Sequence, residues 1–265
     1  MEADFGIITG SIRTEHDKEA AHKMRASCGT IVALGVCSAH GGPHGGNTFH
    51  RAEDMLHNAF CDHPTTLRGA TVPDQNLPAF LAHNRPLDTE INVDAYIPGC
   101  PPHPKIIKEG IEALIRPDFQ PIFSQHNICY ECKRRMDRMP EVNSLRRDFE
   151  GQPDPDLCFL SQGYLCFGSV TLDRCLAPCP KAGVPCFACS GPSVHVLLEP
   201  QKDVRTMIAE LIAQLTSISV QEAAQELKEH FNAHALFLNS SPMMRAKPTR
   251  YIDPVIPQRW EGVSV

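Results

Sequence analysis

Along the first hundred residues, short unbroken apolar runs alternate with stretches whose apolar positions recur at helical spacing. Phe5 to Thr9 and Thr30 to Val36 are runs of strand length. Between them Ala20, Ala21 and Met24 share one face of a helix that Thr14 and Asp17 are placed to cap. The pattern predicts a βαβ unit. Val93 to Ile97 predicts a third strand, and Pro104 stands at the first turn of a helix with Ile107, Ile111, Leu114 and Ile115 on one face. Strands alternating with helices imply an α/β fold with a parallel sheet.

Residues 38–92 turn to Gly, His, Pro and Asn and read as loops around one short helix. The stretch Gly41-Gly42-Pro43-His44-Gly45-Gly46 lacks the Lys-Ser/Thr of a phosphate-binding loop and opens no clear helix, so a plain turn is the simpler reading. From about Phe119 to Pro192 periodicity fades while Pro and Cys become dense. It returns beyond Pro192. Val204, Met207, Ile208, Leu211 and Leu215 mark one amphipathic helix, and Ser219 with Glu222 caps a second that carries Ala223, Leu227 and Phe231. Tyr251, Ile252, Val255 and Trp260, set among prolines, suggest an extended arm. The expected organisation is therefore an α/β domain at 1–118, a cysteine-rich domain at 119–192, and helices with an arm at 193–265.

Composition narrows the class. A chain of 265 residues, 42% hydrophobic and 21% charged, buries a real core and is not a disordered tail. Its net charge of −6 argues against a nucleic-acid partner. It has no run of membrane-spanning length and no secretion signal in Met1-Glu2-Ala3-Asp4, which predicts a cytoplasmic, non-membrane protein.

Cysteine is the outlier, at 12 residues. The chain is too long to need disulfides in place of a core, and nothing in it points to an oxidising compartment, so metal binding leads. Eight of the twelve, Cys129, Cys132, Cys158, Cys166, Cys175, Cys179, Cys186 and Cys189, fall in 61 residues. Eight thiolates make two sets of four. Zinc also takes four cysteines, but its usual paired C-x2-C knuckles stand here at opposite ends of the region with four singly spaced cysteines between them. Prolines Pro178, Pro180 and Pro185 flank the last set, as they often do beside cluster-binding loops. Spacing places iron-sulfur clusters first, zinc second, and disulfides or free thiols last.

Two further cysteines stand where an open α/β sheet binds ligands, at the carboxyl ends of expected strands. Cys37 follows Thr30 to Val36, and Cys100 follows Val93 to Ile97 within Pro98-Gly99-Cys100-Pro101-Pro102. The plain alternative is a pair of buried strand-end thiols. Cys28 precedes the strand that Cys37 follows, which puts it at the opposite edge of the sheet, roughly 25 Å away at about 3.3 Å per residue.

The pairing of Ala33-Leu34-Gly35-Val36-Cys37-Ser38 with Ile97-Pro98-Gly99-Cys100-Pro101-Pro102 resembles the family shared by the small subunits of nickel-iron hydrogenases and the 20-kDa cluster subunit of respiratory complex I. Downstream, Gly163-Tyr164-Leu165-Cys166-Phe167-Gly168 and the segment from Gly183 to Pro192 are similar to the methyl-viologen-reducing, coenzyme-F-non-reducing hydrogenase branch. That resemblance implies a flavodoxin-like parallel-sheet domain and 4Fe-4S clusters in series. Cys129, Cys132, Cys158 and Cys166 are implied as one complete ligand set, the distal one, and Cys175, Cys179, Cys186 and Cys189 as a second, the medial one. Cys37 and Cys100 are implied as a partial proximal set. His126 precedes Cys129 where many relatives use a histidine ligand, but Cys129 and Cys132 already complete the thiolate count.

Two departures stand out. The family takes two more proximal ligands from a C-x2-C loop after an earlier strand, and neither is in this sequence, so an N-terminally truncated domain or a split subunit is expected. Cys61, His40, His44, His50 and His57 are weak substitutes. In Ile8-Thr9-Gly10, Thr9 occupies the place of a family glutamate that takes part in proton transfer, and a hydroxyl cannot hold or release a proton near neutral pH. The expected function is an electron-transfer subunit of a cytosolic hydrogenase. Its implied partners are a large subunit holding the nickel-iron centre and a ferredoxin-like or heterodisulfide-reductase-associated subunit. No catalytic residue is expected in this chain. A cluster subunit of another oxidoreductase and a zinc-stabilised scaffold are the alternatives.

Overall fold

The computed structural model describes residues 3–44, 50–116, 118, 124–199 and 201–229. It forms two compact units that divide between Pro98 and Gly99. The arm at Tyr251–Trp260, together with Phe231, Gly45 and Gly46, lies outside the described residues.

In the first unit β1 (Ala3–Ile8), β3 (Cys28–Leu34) and β5 (Ala95–Ile97) make a parallel sheet in the order β1-β3-β5. Ile7 pairs with Val32, and Val32 in turn with Ala95. The crossover from β1 to β3 contains α1 (Glu15–Ser27). Thr14 accepts from the Asp17 amide at 3.2 Å while the Asp17 carboxylate accepts from the Thr14 amide at 2.9 Å, the reciprocal cap expected from sequence. Ile31, Val32 and Ala33 are all fully buried, because the central strand of a parallel sheet is covered on both faces. At the far end of α1 the Arg25 guanidinium reaches the Cys28, Gly29 and Asn92 carbonyls and the Asp94 carboxylate, which also accepts from the Ile31 amide at 2.7 Å.

The loop region is more ordered than its composition suggests. It holds α3 (Ala52–His57), continued by a π-helical turn at Asn58–Asp62, and β4 (Phe80–Arg85), which pairs antiparallel with β2 (Ile12–Thr14). Neither β2 nor β4 was expected. Arg13, Arg85, His83 and Asn84 interrupt any two-residue alternation, and the pairing rests on contacts distant in sequence.

The apolar run from Thr30 does not continue as strand to Val36. Gly35, at φ 89°, ends β3 and starts α2 (Val36–His40). Leu87, Ile91, Ile12, Ala21 and Ala39 join Ile31 and Ala33 in one core cluster. His40, also in α2, is buried, and desolvation lowers its imidazole to about 4. A base depressed in this way adds stability above its unfolded value near 6.5 that disappears as pH falls toward 4. About 3 kcal/mol is at stake, at 1.36 kcal/mol per unit. Denaturant titrations should therefore show a stability drop between pH 6.5 and 4 that His40→Gln flattens. Equal slopes in both proteins would refute the assignment.

The second unit begins with α4 (Pro104–Ile115), capped by the His103 ring accepting from the Lys105 amide at 3.2 Å. Its buried face is turned by about one position from the expected one: Ile106 is the buried isoleucine, whereas Ile115 is 63% exposed. Residues 124–192 contain only three-residue helical turns and the four-residue α5 (Pro178–Lys181). The short α6 (Val194–Leu198) leads to α7 (Val204–Leu215) and α8 (Val220–Glu229). Val204, Ile208, Ile212, Ala223 and Leu227 are fully buried. Ser219 and Glu222 form the anticipated cap.

Candidate metal centre

The irregular segment is held by main-chain hydrogen bonds between distant stretches. Ile128 donates to Thr171 at 3.0 Å, Leu172 to Gly191 at 3.0 Å, Asp173 to His126 at 2.8 Å and Cys158 to Arg135 at 2.7 Å. Tyr164, 1% exposed, sends its hydroxyl to the Glu150 carbonyl at 2.7 Å. These ties bring together cysteines that are far apart in sequence.

Cys129 faces Cys166, Cys158 and Cys132, and Cys166 also faces Cys158 and Cys132. Gly168 lies against this group. A Cβ built there would stand 3.4 Å from Cys129 Sγ and 3.6 Å from Cys166 Sγ. Burial, followed by the neighbouring thiols, pushes Cys129 up to about 12, and burial is also the main cause that lifts Cys166 to about 12 and raises Cys158. Amides point at these sulfurs, those of Leu160 and Ser161 at Cys158 and those of Cys186 and Gly168 at Cys166. The Cys186 amide lies 3.3 Å from Cys166 Sγ.

A second group contains Cys175, Cys179 and Cys189, and it has Cys100 beside it. Cys189, pushed by burial to about 12, faces Cys175, Cys179 and Cys100 and accepts from the Cys100 amide. Cys179, also raised by burial, faces Cys175 and Cys100. Cys186 joins the two groups. It faces Cys166 on one side and Cys189 on the other, accepts from the Ala188 amide at 3.5 Å and from the Thr171 hydroxyl, and is buried, which drives its thiol well up. The order running through this unit is thus Cys100, then the Cys175, Cys179 and Cys189 group, then Cys186, then Cys166 and its neighbours.

The loops of the second group store strain. Leu176 and Ala177 take φ of 62° and 51°, and Ala188 takes 65°. A left-handed residue with a side chain costs roughly 1–2 kcal/mol, and such residues persist where surroundings over-determine them. Pro178, Pro180 and Pro185 supply much of that constraint.

Cys37 lies in the first unit, in α2, and Cys100 in the second. Gly42, at φ 61°, curls over Cys37 so closely that a Cβ would be 2.6 Å from its Sγ. Gly99 takes φ 142°, the Cys100–Pro101 peptide is cis, and a Cβ on Gly99 would be 2.5 Å from Pro102 Cα. Cys28 opens β3 and packs in the core, its Sγ 2.9 Å from where a Gly6 Cβ would stand. Cys61 is in the π-helical turn and His126 is exposed, its ring stacked on Tyr130 at 4.1 Å. Strand-end position links Cys100 only with Cys37; its place beside Cys179 and Cys189 depends on how the loop at Cys100 folds and has no signal in the sequence.

Among the described residues no three His, Cys, Asp or Glu side chains gather tightly enough for one metal ion. A four-iron cubane asks for something else, since each thiolate takes its own iron. The donor set fits such a group: clustered thiols in low-dielectric surroundings with amides aimed at the sulfurs, the conditions that stabilise an anionic cluster.

Residues 1–114 match the family model described as NADH ubiquinone oxidoreductase, 20 Kd subunit. The chain is 35% identical over 197 residues to a protein of Methanococcus voltae, a subunit of the F420-non-reducing hydrogenase of vhu type, covering 74% of this chain and 68% of that one. The chain belongs to the family of this hydrogenase subunit, which shares the 20 Kd subunit region. It is also 36% identical over 189 residues to the corresponding vhu hydrogenase subunit from Methanocaldococcus jannaschii, covering 71% of this chain and 64% of that relative, so it spans just under two thirds of the relative's length. Among solved structures, a chain of an NAD+-reducing nickel-iron hydrogenase aligns over 46% of this chain and 69% of its own, with a TM-score of 0.42 and 31% identity. The match to the methanogen subunits extends well past the α/β unit, because the 20 Kd model ends at residue 114 and the alignments span up to 86% of the chain. No helix among the described residues is long and apolar enough to cross a membrane.

Proposed function

We propose that the chain is the electron-transfer subunit of a nickel-iron hydrogenase. Cys129, Cys132, Cys158 and Cys166 hold one 4Fe-4S cluster in this reading, Cys175, Cys179, Cys186 and Cys189 a second, and Cys37 with Cys100 contribute to a third. The observation that carries it is the series of thiols running from the exposed Cys100 through the half-buried Cys189 to the buried Cys186 and Cys166. Splitting one hydrogen molecule in a large subunit leaves two protons there and two electrons, and bound clusters supply one-electron steps that pass those electrons on singly. This chain's own residues fix the ligand thiols, exclude water from them and aim amides at their sulfur. The acceptor is a ferredoxin-like or heterodisulfide-reductase-associated protein, and the relatives named for hydrogenase activity support the hydrogenase assignment.

Anaerobic purification of the complex tests the reading. The expected result is hydrogen-dependent dye reduction with stoichiometric nickel, and roughly eight irons per chain, or roughly twelve if the third site is completed. Zinc in a colourless protein would overturn it. Thr9, exposed after β1 where the family places a carboxylate, favours a second reading, a cluster subunit of an oxidoreductase without nickel. Iron with no nickel and no hydrogen-dependent activity would establish that one.

A further inference from the structure

We propose that Arg134 is a fixed cation that raises the reduction potential of the cluster held by Cys129, Cys132, Cys158 and Cys166. The inference rests on the ligand assignment above. Arg134 is two residues past Cys132, yet its side chain reaches the other end of the group. Its guanidinium stacks on the Phe159 ring with the carbon 4.0 Å from the centroid, and Nη1 donates to the Leu157 carbonyl at 3.1 Å and to that of Asp154. Leu157 and Phe159 flank Cys158 in the chain, and the clamped cation is near enough for its charge to act on the Cys158 thiol.

The clamp is doubly secured. Gln162 Nε2 shares the Leu157 carbonyl at 2.9 Å, and the Cys158 amide donates to the Arg135 carbonyl at 2.7 Å. Phe159 is 1% exposed, which makes the stacking surface immobile. Neighbouring cations differ. Lys133, Arg135 and Arg138 are not clamped in this way and face water and salt that screen them.

One further atom points the same way. Arg134 Nε is buried and has no hydrogen-bond partner among the described residues. A buried donor left without an acceptor is costly, more so in a charged group. A thiolate at Cys158, whose sulfur feels the Arg134 charge, would offer this donor an anionic neighbour when a cluster is bound. The reduced cluster carries one more negative charge than the oxidised one, and Arg134 neither gains nor loses a proton in that change, so a permanent positive charge favours the reduced form.

The test is a redox titration of the assembled complex, following the electron paramagnetic resonance signal assigned to this cluster by its loss in Cys158→Ser. Arg134→Gln should retain iron and shift the midpoint to more negative potential. A tenfold fall in the reduced-to-oxidised ratio at fixed potential is expected, about 59 mV for one electron. Arg134→Lys keeps charge without the fork and should lie between wild type and Arg134→Gln. Lys133→Gln and Arg138→Gln should not move it. If Arg134→Gln loses the cluster, Phe159→Leu, which frees the guanidinium to move away, should give a smaller shift of the same sign. A full complement of iron with an unmoved midpoint in Arg134→Gln, or in Phe159→Leu where that variant decides, overturns the inference alone. A wild-type complex with no cluster signal removes the functional reading and the inference with it.

Discussion

Anaerobic removal of iron is expected to unravel residues 124–192 while leaving the β1-β3-β5 sheet, α7 and α8 in place. The segment has no regular element longer than four residues, so few of its amides are protected by repetitive local bonding. Long-range ties such as Ile128 to Thr171 and Cys158 to Arg135 join stretches that carry the candidate ligands, and they lose their anchor when the thiols lose theirs. Hydrogen exchange of the Ile128, Cys158 and Leu172 amides should accelerate at least a hundredfold, about 2.8 kcal/mol at 1.4 kcal/mol per tenfold. Val204, Ile208, Ile212 and Leu227, fully buried against one another's helices, should stay protected. Unchanged protection at Ile128 and Cys158 would show that the segment folds without iron.

The same thiols fix the pH response. In the iron-free chain Cys129, Cys166 and Cys189 are held near 12, above an ordinary value near 9, because burial penalises the thiolate. Groups raised in this way contribute stability that is whole below pH 9 and is lost as pH rises toward 12, when the unfolded chain ionises first. Iron reverses the preference by requiring the thiolate, so loading releases protons.

Elements whose signal is local were legible in the sequence. The Thr14 and Asp17 cap, the Ser219 and Glu222 cap and the unbroken run through Ile31, Val32 and Ala33 each follow from a few adjacent residues. β2 and β4 were not, since their pairing depends on the chain returning across more than sixty positions. The ligand candidates could be read because thiol spacing is conspicuous. Their surroundings could not: Gly168 resembles any loop glycine, and the left-handed Leu176, Ala177 and Ala188 carry residue types that give no hint of that conformation. Arg134 was hidden in the Lys133-Arg134-Arg135 run, where sequence alone does not separate a clamped cation from two solvated ones.

Serine substitution of single cysteines should divide the iron into two parcels. Cys132→Ser and Cys158→Ser are each expected to remove about four irons, and Cys175→Ser and Cys179→Ser about four different ones, with acceptor reduction falling at least a hundredfold in every case because a series of one-electron sites fails at its weakest member. Cys186 is the discriminating position. Its thiol faces both Cys166 and Cys189, so proximity alone leaves it on the boundary. Its amide, however, already serves Cys166 Sγ at 3.3 Å, and that amide survives a side-chain change. Cys186→Ser should therefore spare the iron held with Cys166 and remove the same four as Cys175→Ser, seen as one cluster signal lost and one retained at unaltered potential. Loss of the Cys166 signal instead would show that Cys186 serves that cluster in place of one of its four assigned thiols. Cys100, which faces both Cys179 and Cys189, would then be the thiol left to complete the other.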